Sequence, residues 1–348
     1  MKKKPVWILA AIVAALLASS LLWSYSMQAA GRLGRQAQGR GGALDPGKNY
    51  FDIRDKSSKD AVSKFERRME KLSSKQKEKR DEFKSAMKVA SERVARTAPD
   101  MEVVFCDLTN SPELVQTKGR GRRSLTPSSS QPRESVVRGF INNNADVFGM
   151  RPQQVARLRK IADYANPNGK LSWLKMEQRW NGMKVFRGET TAVFNADGAL
   201  VRMVGELASA PDEAELETTP KVSAAAAVAS AAAALDVPLA ESDLAVKESS
   251  PDGRTITFYP AGPFTDDIKL ELMYFPLDAG AATLAWAMTL WQQEPAYYTL
   301  VDAEEGEVLW RKNIVNAQTQ PATYSVYNDD SPAPLSPTTA LPGSGVQP

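Results

Sequence analysis

Histidine is absent from all 348 residues. The commonest general base at neutral pH is therefore missing, and with it every Ser-His or Cys-His nucleophile pair. An H-E-x-x-H helix, which sets two imidazoles on one face around zinc, is excluded as well. Catalysis by paired carboxylates, lysine or tyrosine survives that filter, but no paired carboxylates fall in a recognisable arrangement. The expectation is a non-catalytic chain, with no catalytic, cofactor-binding or metal-ligating residue assigned and no cofactor. Cysteine occurs once, at Cys106, so no intramolecular disulfide and no thiolate-rich metal site is available. A net charge of only +3 argues against a nucleic-acid binder. What is present, 43% apolar and 24% charged residues, is a globular balance with room for two modest domains and flexible ends.

The N-terminus reads as an export signal. Lys2, Lys3 and Lys4 precede an uncharged, largely apolar run from Val6 to Trp23, the order of a secretory signal. Ala29 and Ala30 offer small residues for cleavage, but Met27 and Gln28 are poorly suited. Because the run is near the lower limit for spanning a bilayer, residues 1–30 are left as a cleaved signal or a retained membrane anchor over 6–23. Either fate places the remainder outside the cytoplasm, secreted or periplasmic.

Residues 31–54 are rich in Gly, Arg and Gln and read as a linker. Over 55–98, Val62, Phe65, Met69 and Leu72, then Phe83, Met87, Ala90 and Val94, recur at helical spacing. With no Gly or Pro between, one long charged amphipathic helix is expected. Fifteen basic and eight acidic residues fall between Arg54 and Arg96. Its apolar stripe is assigned to packing on its own domain, with an acidic membrane surface or a partner as the alternative.

Met101 to Leu108 is a strand candidate, and Pro132 to Phe148 a helix closed by Gly149. Leu171–Trp180, Val185–Phe194 and Leu200–Leu207 are strand runs joined by Asn181-Gly182 and by Asn195-Ala196-Asp197-Gly198. Such dipeptides supply the positive φ angles of hairpin turns, so an antiparallel meander is predicted. Thr219-Pro220 is read as the start of an alanine-rich helix through Ala224–Ala234. Strands follow over Thr255–Tyr259, Ile268–Phe275, Leu284–Trp291, Tyr297–Val301 and Glu307–Lys312. Residues 317–348 are a Pro/Ser/Thr-rich tail. The pattern is helix then meander, twice, which predicts an α+β fold of two small helix-on-antiparallel-sheet units over 99–207 and 208–316.

Three blocks carry a resemblance. Arg138-Gly139-Phe140-Ile141-Asn142-Asn143-Asn144-Ala145-Asp146-Val147-Phe148-Gly149-Met150 resembles the "R-x-F-L-x-x-N-A-x-x-F-G-L" helix of the fungalysin/thermolysin propeptide (FTP) domain. Glu177 to Glu189 is similar to that domain's "Q-x-x-N-G-x-P-V-F-G-G-E" hairpin, with Met183 in place of proline and Arg187 in place of a glycine. The second unit resembles the PepSY-like half of such propeptides in its alanine-rich helix, Leu284-Ala285-Trp286 and Val301 to Leu309. Val326 to Pro337 looks like the linker before the catalytic domain of fungalysin-type zinc metallopeptidases. The resemblance implies cystatin-like lobes and an exported module that inhibits, or assists the folding of, a zinc metallopeptidase catalytic domain. The sequence ends within that linker without an H-E-x-x-H domain, so a truncated precursor with no independent role is the alternative expectation.

Other candidates are weighed on chemistry alone. Cys106 reads as a small buried side chain, with thiolate masking of a partner's zinc as the alternative. Asp302, Glu304, Glu305 and Glu307 read as a solvated hairpin tip, since they lack the ligand spacing of a calcium loop. Trp173, Trp180, Trp286, Trp291 and Trp310 are assigned to the core, with a ligand-stacking surface as the alternative. Arg120, Arg122 and Arg123 read as a solvated loop, with a processing site or an anion contact as the alternative.

Overall fold

The computed structural model describes residues 46–119, 124–166, 169–209, 211–292 and 295–315. In chain order they form α1 (Pro46–Asn49), β1 (Tyr50–Asp52), α2 (Lys59–Glu70), α3 (Ser74–Thr97), β2 (Met101–Phe105) and β3 (Pro112–Thr117). Next come α4 (Arg133–Asn143), α5 (Ala145–Phe148), α6 (Pro152–Ala156), β4 (Arg159–Ala165), β5 (Leu171–Trp180), β6 (Met183–Asn195) and β7 (Leu200–Val204). The rest are α7 (Ala224–Ala233), β8 (Val246–Ser249), β9 (Thr255–Phe258), β10 (Ile268–Asp278), β11 (Ala281–Trp291), β12 (Ala296–Asp302) and β13 (Val308–Asn313).

The expected pair of separate helix-on-sheet units is corrected: the strands form one mixed 13-stranded sheet within a single compact unit, Asp45–Val315. Its main path runs β1-β13-β12-β11-β10-β6-β7-β3-β2, with β4 and β5 branching from β6 and β8 and β9 from β10. Two antiparallel halves meet where β10 lies parallel to β6, through Met273↔Lys184 and Tyr274↔Val185. The reason lies in strand lengths. β7 covers β6 only over Thr191–Phe194, and β9 covers β10 only over Ile268–Glu271. Each long strand thus has a stretch of edge with unpaired N–H and C=O groups, and the two stretches satisfy one another.

Three apolar cores follow from this sheet. Val137, Phe140 and Ile141 of α4 pack on Leu174, Met176, Ala192 and Phe194 on one face of the first half. In the second half α7 buries Ala227, Val228 and Ala231 against Leu270, Leu272, Trp286 and Met288. The opposite face of that half buries Phe275, Leu277, Leu300 and Trp310 under Ile53 and Met69. A sheet covered on both faces reads as continuous apolar strands rather than alternating ones, and β10 and β11 are buried along most of their length. Helix α7 starts later than expected: its N-cap is Ser223, whose Oγ accepts the Ala226 N–H at 2.9 Å.

The charged segment is two helices, not one. Ser73 and Gln76 form a reciprocal capping box that restarts the chain after α2, satisfying N–H groups a new helix leaves open. The two helices then strap the two halves. Helix α2 buries Met69 on the second half, and α3 buries Ala90 and Val94 in the core of the first. Burying a side chain such as Met or Val stabilises by about 1.5–3 kcal/mol. Phe83 wedges between the halves: a Cβ on Gly149 would lie 3.3 Å from its ring, and one on Gly280 2.4 Å away. Nearby, Lys84 Nζ pairs with Asp278 Oδ2 at 2.6 Å. At the far end, Arg93 grips Asp146 through two bonds of 2.8 Å. The expectation of a membrane anchor, the alternative to a cleaved signal over residues 1–30, is corrected only as far as the described residues reach. Among the described residues no helix is long and apolar enough to cross a membrane, and the run Val6–Trp23 lies outside them.

Candidate functional site

The residues that carry the family resemblance are occupied with structure. Arg138 donates to the Leu158 carbonyl at 2.5 Å, to the Val155 carbonyl and to Glu134, tying α4 to the start of β4. Asn144 breaks the expected single helix in two, and Gly149 closes it at φ +59. A Cβ there would stand 2.5 Å from Ser209 Oγ. Asn181 (φ +47) and Gly182 (φ +81) make the tight hairpin that was expected. Asn181 Nδ2 also donates to the Glu213 carbonyl at 3.0 Å and to Tyr274 Oη at 3.1 Å, joining the hairpin to the second half.

The acidic tip is only partly solvated: Asp302 is buried, whereas Glu304, Glu305 and Glu307 keep access to water. Arg68 of α2 reaches into it, with Asp302 at 3.0 Å, Glu304 at 3.2 Å and Glu305 at 3.0 Å. Lys71 pairs with Glu305 at 2.7 Å, and Arg67 with Glu307. Asp302 is 1% exposed. Burial raises its pKa, and this outweighs the opposing Arg68 charge and the N–H groups of Glu304 and Glu305. Glu305 goes the other way: the Lys71 hydrogen bond lowers its pKa despite partial burial, aided by Arg68. Arginine fills the space a cation would take, so the tip is a docking point for α2.

Of the five tryptophans assigned to strands, Trp180, Trp286 and Trp310 are buried, whereas Trp291 is 41% exposed and Trp173 half-buried. Trp173 lies on the face of the first half opposite its core. Registers there align Tyr164, Trp173, Val193, Arg202, Gln116 and Glu102 in one row across six strands. A second row runs Ala162, Lys175, Thr191, Val204, Leu114 and Val104. Tyr164 and Trp173 stack at 5.2 Å with 17° between planes. Tyr164 is 53% exposed and Val204 43%, although sheet residues of this type usually seek cover. A shallow cleft of about 820 Å³ lies over this face, lined by Trp173, Val193, Arg202, Gln116 and Asn195 among others. Arg202 Nε donates to Gln116 Oε1 at 2.9 Å and Gln116 Nε2 to Glu102 Oε2 at 2.7 Å, which orders the polar end.

β4 bounds this face as a free edge. All of its residues except Ala162 are exposed, and beyond it lies no further strand among the described residues. Such an edge presents N–H and C=O groups to a pairing strand. Sequence reasoning missed β4, and with it Tyr164, because a strand exposed on both faces has no alternation. Arg120, Arg122 and Arg123 lie outside the described residues. Cys106 is buried, as expected, and unpaired with any other cysteine.

No protein-family model matches this chain, and no curated protein matches it. Among solved structures it is similar to the Bacillus megaterium YpeB C-terminal domain, with 12% identity and a TM-score of 0.24 over 67% of this chain and 97% of that one. A likeness of that TM-score supports neither a shared fold nor a shared activity.

Proposed function

We propose that the chain is an exported, non-catalytic, propeptide-like module of the FTP and PepSY type, which inhibits or assists the folding of a thermolysin/fungalysin-type zinc metallopeptidase. The observation that carries this reading is the open aromatic face of the first half with the free edge β4 beside it. An ordered surface with an aromatic and a polar end, next to an unpaired strand edge, suits recognition of another chain, and it needs no catalytic group. Three features agree with it. Histidine is absent. The propeptide-like motifs lie in the helix and hairpin that shape the first half. Trp173 and Tyr164 are rigid amphipathic rings of the kind enriched at interface hot spots. Export rests on Lys2, Lys3, Lys4 and the run Val6–Trp23.

The test adds the purified full chain to a secreted zinc metallopeptidase of this class at micromolar concentration, measuring peptide hydrolysis and the yield of active enzyme on refolding. Inhibition or a raised yield is expected, weakened at least about tenfold by Trp173→Ala with Tyr164→Ala. No change in either readout would contradict the reading. Hydrolysis by the pure chain would overturn its non-catalytic part.

A further inference from the structure

Where β2, β3 and β7 end side by side, a thiol and two carboxylates converge with a single guanidinium, that of Arg187, facing one of them. Cys106 follows β2, Glu113 is the second residue of β3, and Glu206 follows β7. Their ligating atoms all lie within 4.8 Å of one another. Backbone pairing holds them there. The Cys106 N–H donates to the Ser111 carbonyl at 2.8 Å, and the Gly205 N–H to the Glu113 carbonyl at 2.9 Å. Three donors of two chemical kinds are thus fixed by three adjacent strand ends, not gathered by a floppy loop.

The three donors differ in exposure: Cys106 is buried, Glu206 half-buried and Glu113 open to solvent. Cys106 is 7% exposed, and its thiol, within 4.8 Å of both carboxylates, makes no hydrogen bond among the described residues. The Glu113 carboxylate likewise has neither a hydrogen bond nor an ion pair among them. Glu206 faces Arg187 Nη1, but only at 3.9 Å. Ser111 beside them is 1% exposed, and its Oγ also has no partner. Of these groups the Cys106 thiol and the Ser111 hydroxyl are the buried ones, and buried polar groups without partners are uncommon. Arg187 itself adopts φ +58, a left-handed conformation that an arginine enters only under constraint from its surroundings.

We propose that Cys106, Glu113 and Glu206 form a binding site for one divalent cation of the zinc class. A thiolate with two carboxylates suits zinc; calcium and magnesium prefer all-oxygen shells of higher coordination number. Bonds of roughly 2.0–2.3 Å in a tetrahedron are reached from the present spacing by small rotations of the two glutamates. The fourth position is left to water. On binding, the thiol releases its proton to solvent and the sulfur lone pair goes to the metal, so the thiolate–metal bond replaces S–H with no change of oxidation state. Arg187 is the competitor for Glu206: its guanidinium supplies part of the charge that the metal would replace.

The reduced full chain is titrated with cobalt(II) and with zinc(II), followed by calorimetry and by the thiolate-to-cobalt charge-transfer absorption. One metal per chain and a charge-transfer band are expected. Cys106→Ser abolishes the band, Glu113→Gln weakens binding by about tenfold or more, and Arg187→Gly tightens it severalfold. Thermal melts in chelator check that the Glu113→Gln and Arg187→Gly chains are folded, and these two decide the matter if Cys106→Ser does not fold. Absence of the band in the parent chain, or affinity unchanged by Glu113→Gln, overturns the proposal.

Discussion

Replacing Arg68 with methionine isolates the contact that fastens the helical strap to the second half of the sheet. The side chain of Arg68 is 9% exposed and that of Asp302 2%, so methionine fills the space of the arginine stem while stranding a buried carboxylate. Glu304 and Glu305 retain some access to water, and the penalty therefore concentrates on Asp302. Removing one member of a buried pair costs about 3–5 kcal/mol. The stranded carboxylate has an escape, because it can bind a proton. From an unfolded value of 3.8, protonating it costs only about 1 kcal/mol at a pH near 4.5 but about 5 kcal/mol near 7.5. The sign follows. A carboxyl whose native pKa is raised favours the native state below its unfolded value, and that advantage is lost as pH rises through the raised native value. Loss of Arg68 raises Asp302 further and widens that window. Urea unfolding followed by tryptophan fluorescence is expected to show a loss of about 3 kcal/mol at the higher pH and about 1 kcal/mol at the lower one. Adding Asp302→Asn to the variant recovers at least half of the loss at the higher pH. Equal losses at the two pH values, or a loss under about 1 kcal/mol near pH 7.5, would refute the assignment of Arg68 as the partner of a buried charge.

Three further outcomes are expected. Gly149→Ala lowers stability by about 2 kcal/mol or more in urea unfolding, because alanine must hold φ +59 and its Cβ meets Ser209 Oγ at 2.5 Å. Asp146 is pushed up by burial, but the Arg93 hydrogen bonds and charge outweigh this and leave its pKa lowered. Its contribution is present above the ordinary carboxylate value and lost as pH falls through the lowered one, so acid unfolding of Arg93→Met shows a shallower pH dependence there. Tyr298 is held up to about 12 by burial; a spectrophotometric titration shows a late tyrosine step that Tyr298→Phe removes.

Much of the strand inventory was legible in the sequence, and the particular misses have two physical causes. Asn181-Gly182 and the alternation around it mark the β5–β6 hairpin because turn chemistry and burial on one face are local signals. The same holds for the capping box at Ser73 and Gln76, a readable S-x-x-Q that an unbroken apolar periodicity masked. Pairing partners are not local. Lys184 and Val185 find Met273 and Tyr274 almost ninety residues away, and nothing in either segment alone states that their edges will be left short by β7 and β9. Arg68 likewise meets the acidic tip from 237 residues before Glu305, so four carboxylates read as solvated when their counter-charges belong to another helix. β4 and β8 were invisible for a different reason. Their residues face water almost throughout, and without a buried face a strand leaves no period to detect. The open aromatic face depends on β4, so the candidate site was legible only at Trp173. The cluster of Cys106, Glu113 and Glu206 was illegible because it forms only after β3 pairs with both β2 and β7.

The most direct measurement is the inhibition constant of the full chain against a secreted thermolysin/fungalysin-type peptidase, taken beside that of the Trp173→Ala, Tyr164→Ala double variant. Both side chains lie on the open face and outside the three apolar cores, so the variant is expected to melt within a few degrees of the parent. A propeptide-like module that docks through this face gives micromolar or tighter inhibition, weakened at least about tenfold in the variant. Equal inhibition by both folded chains, or none by either, would contradict it.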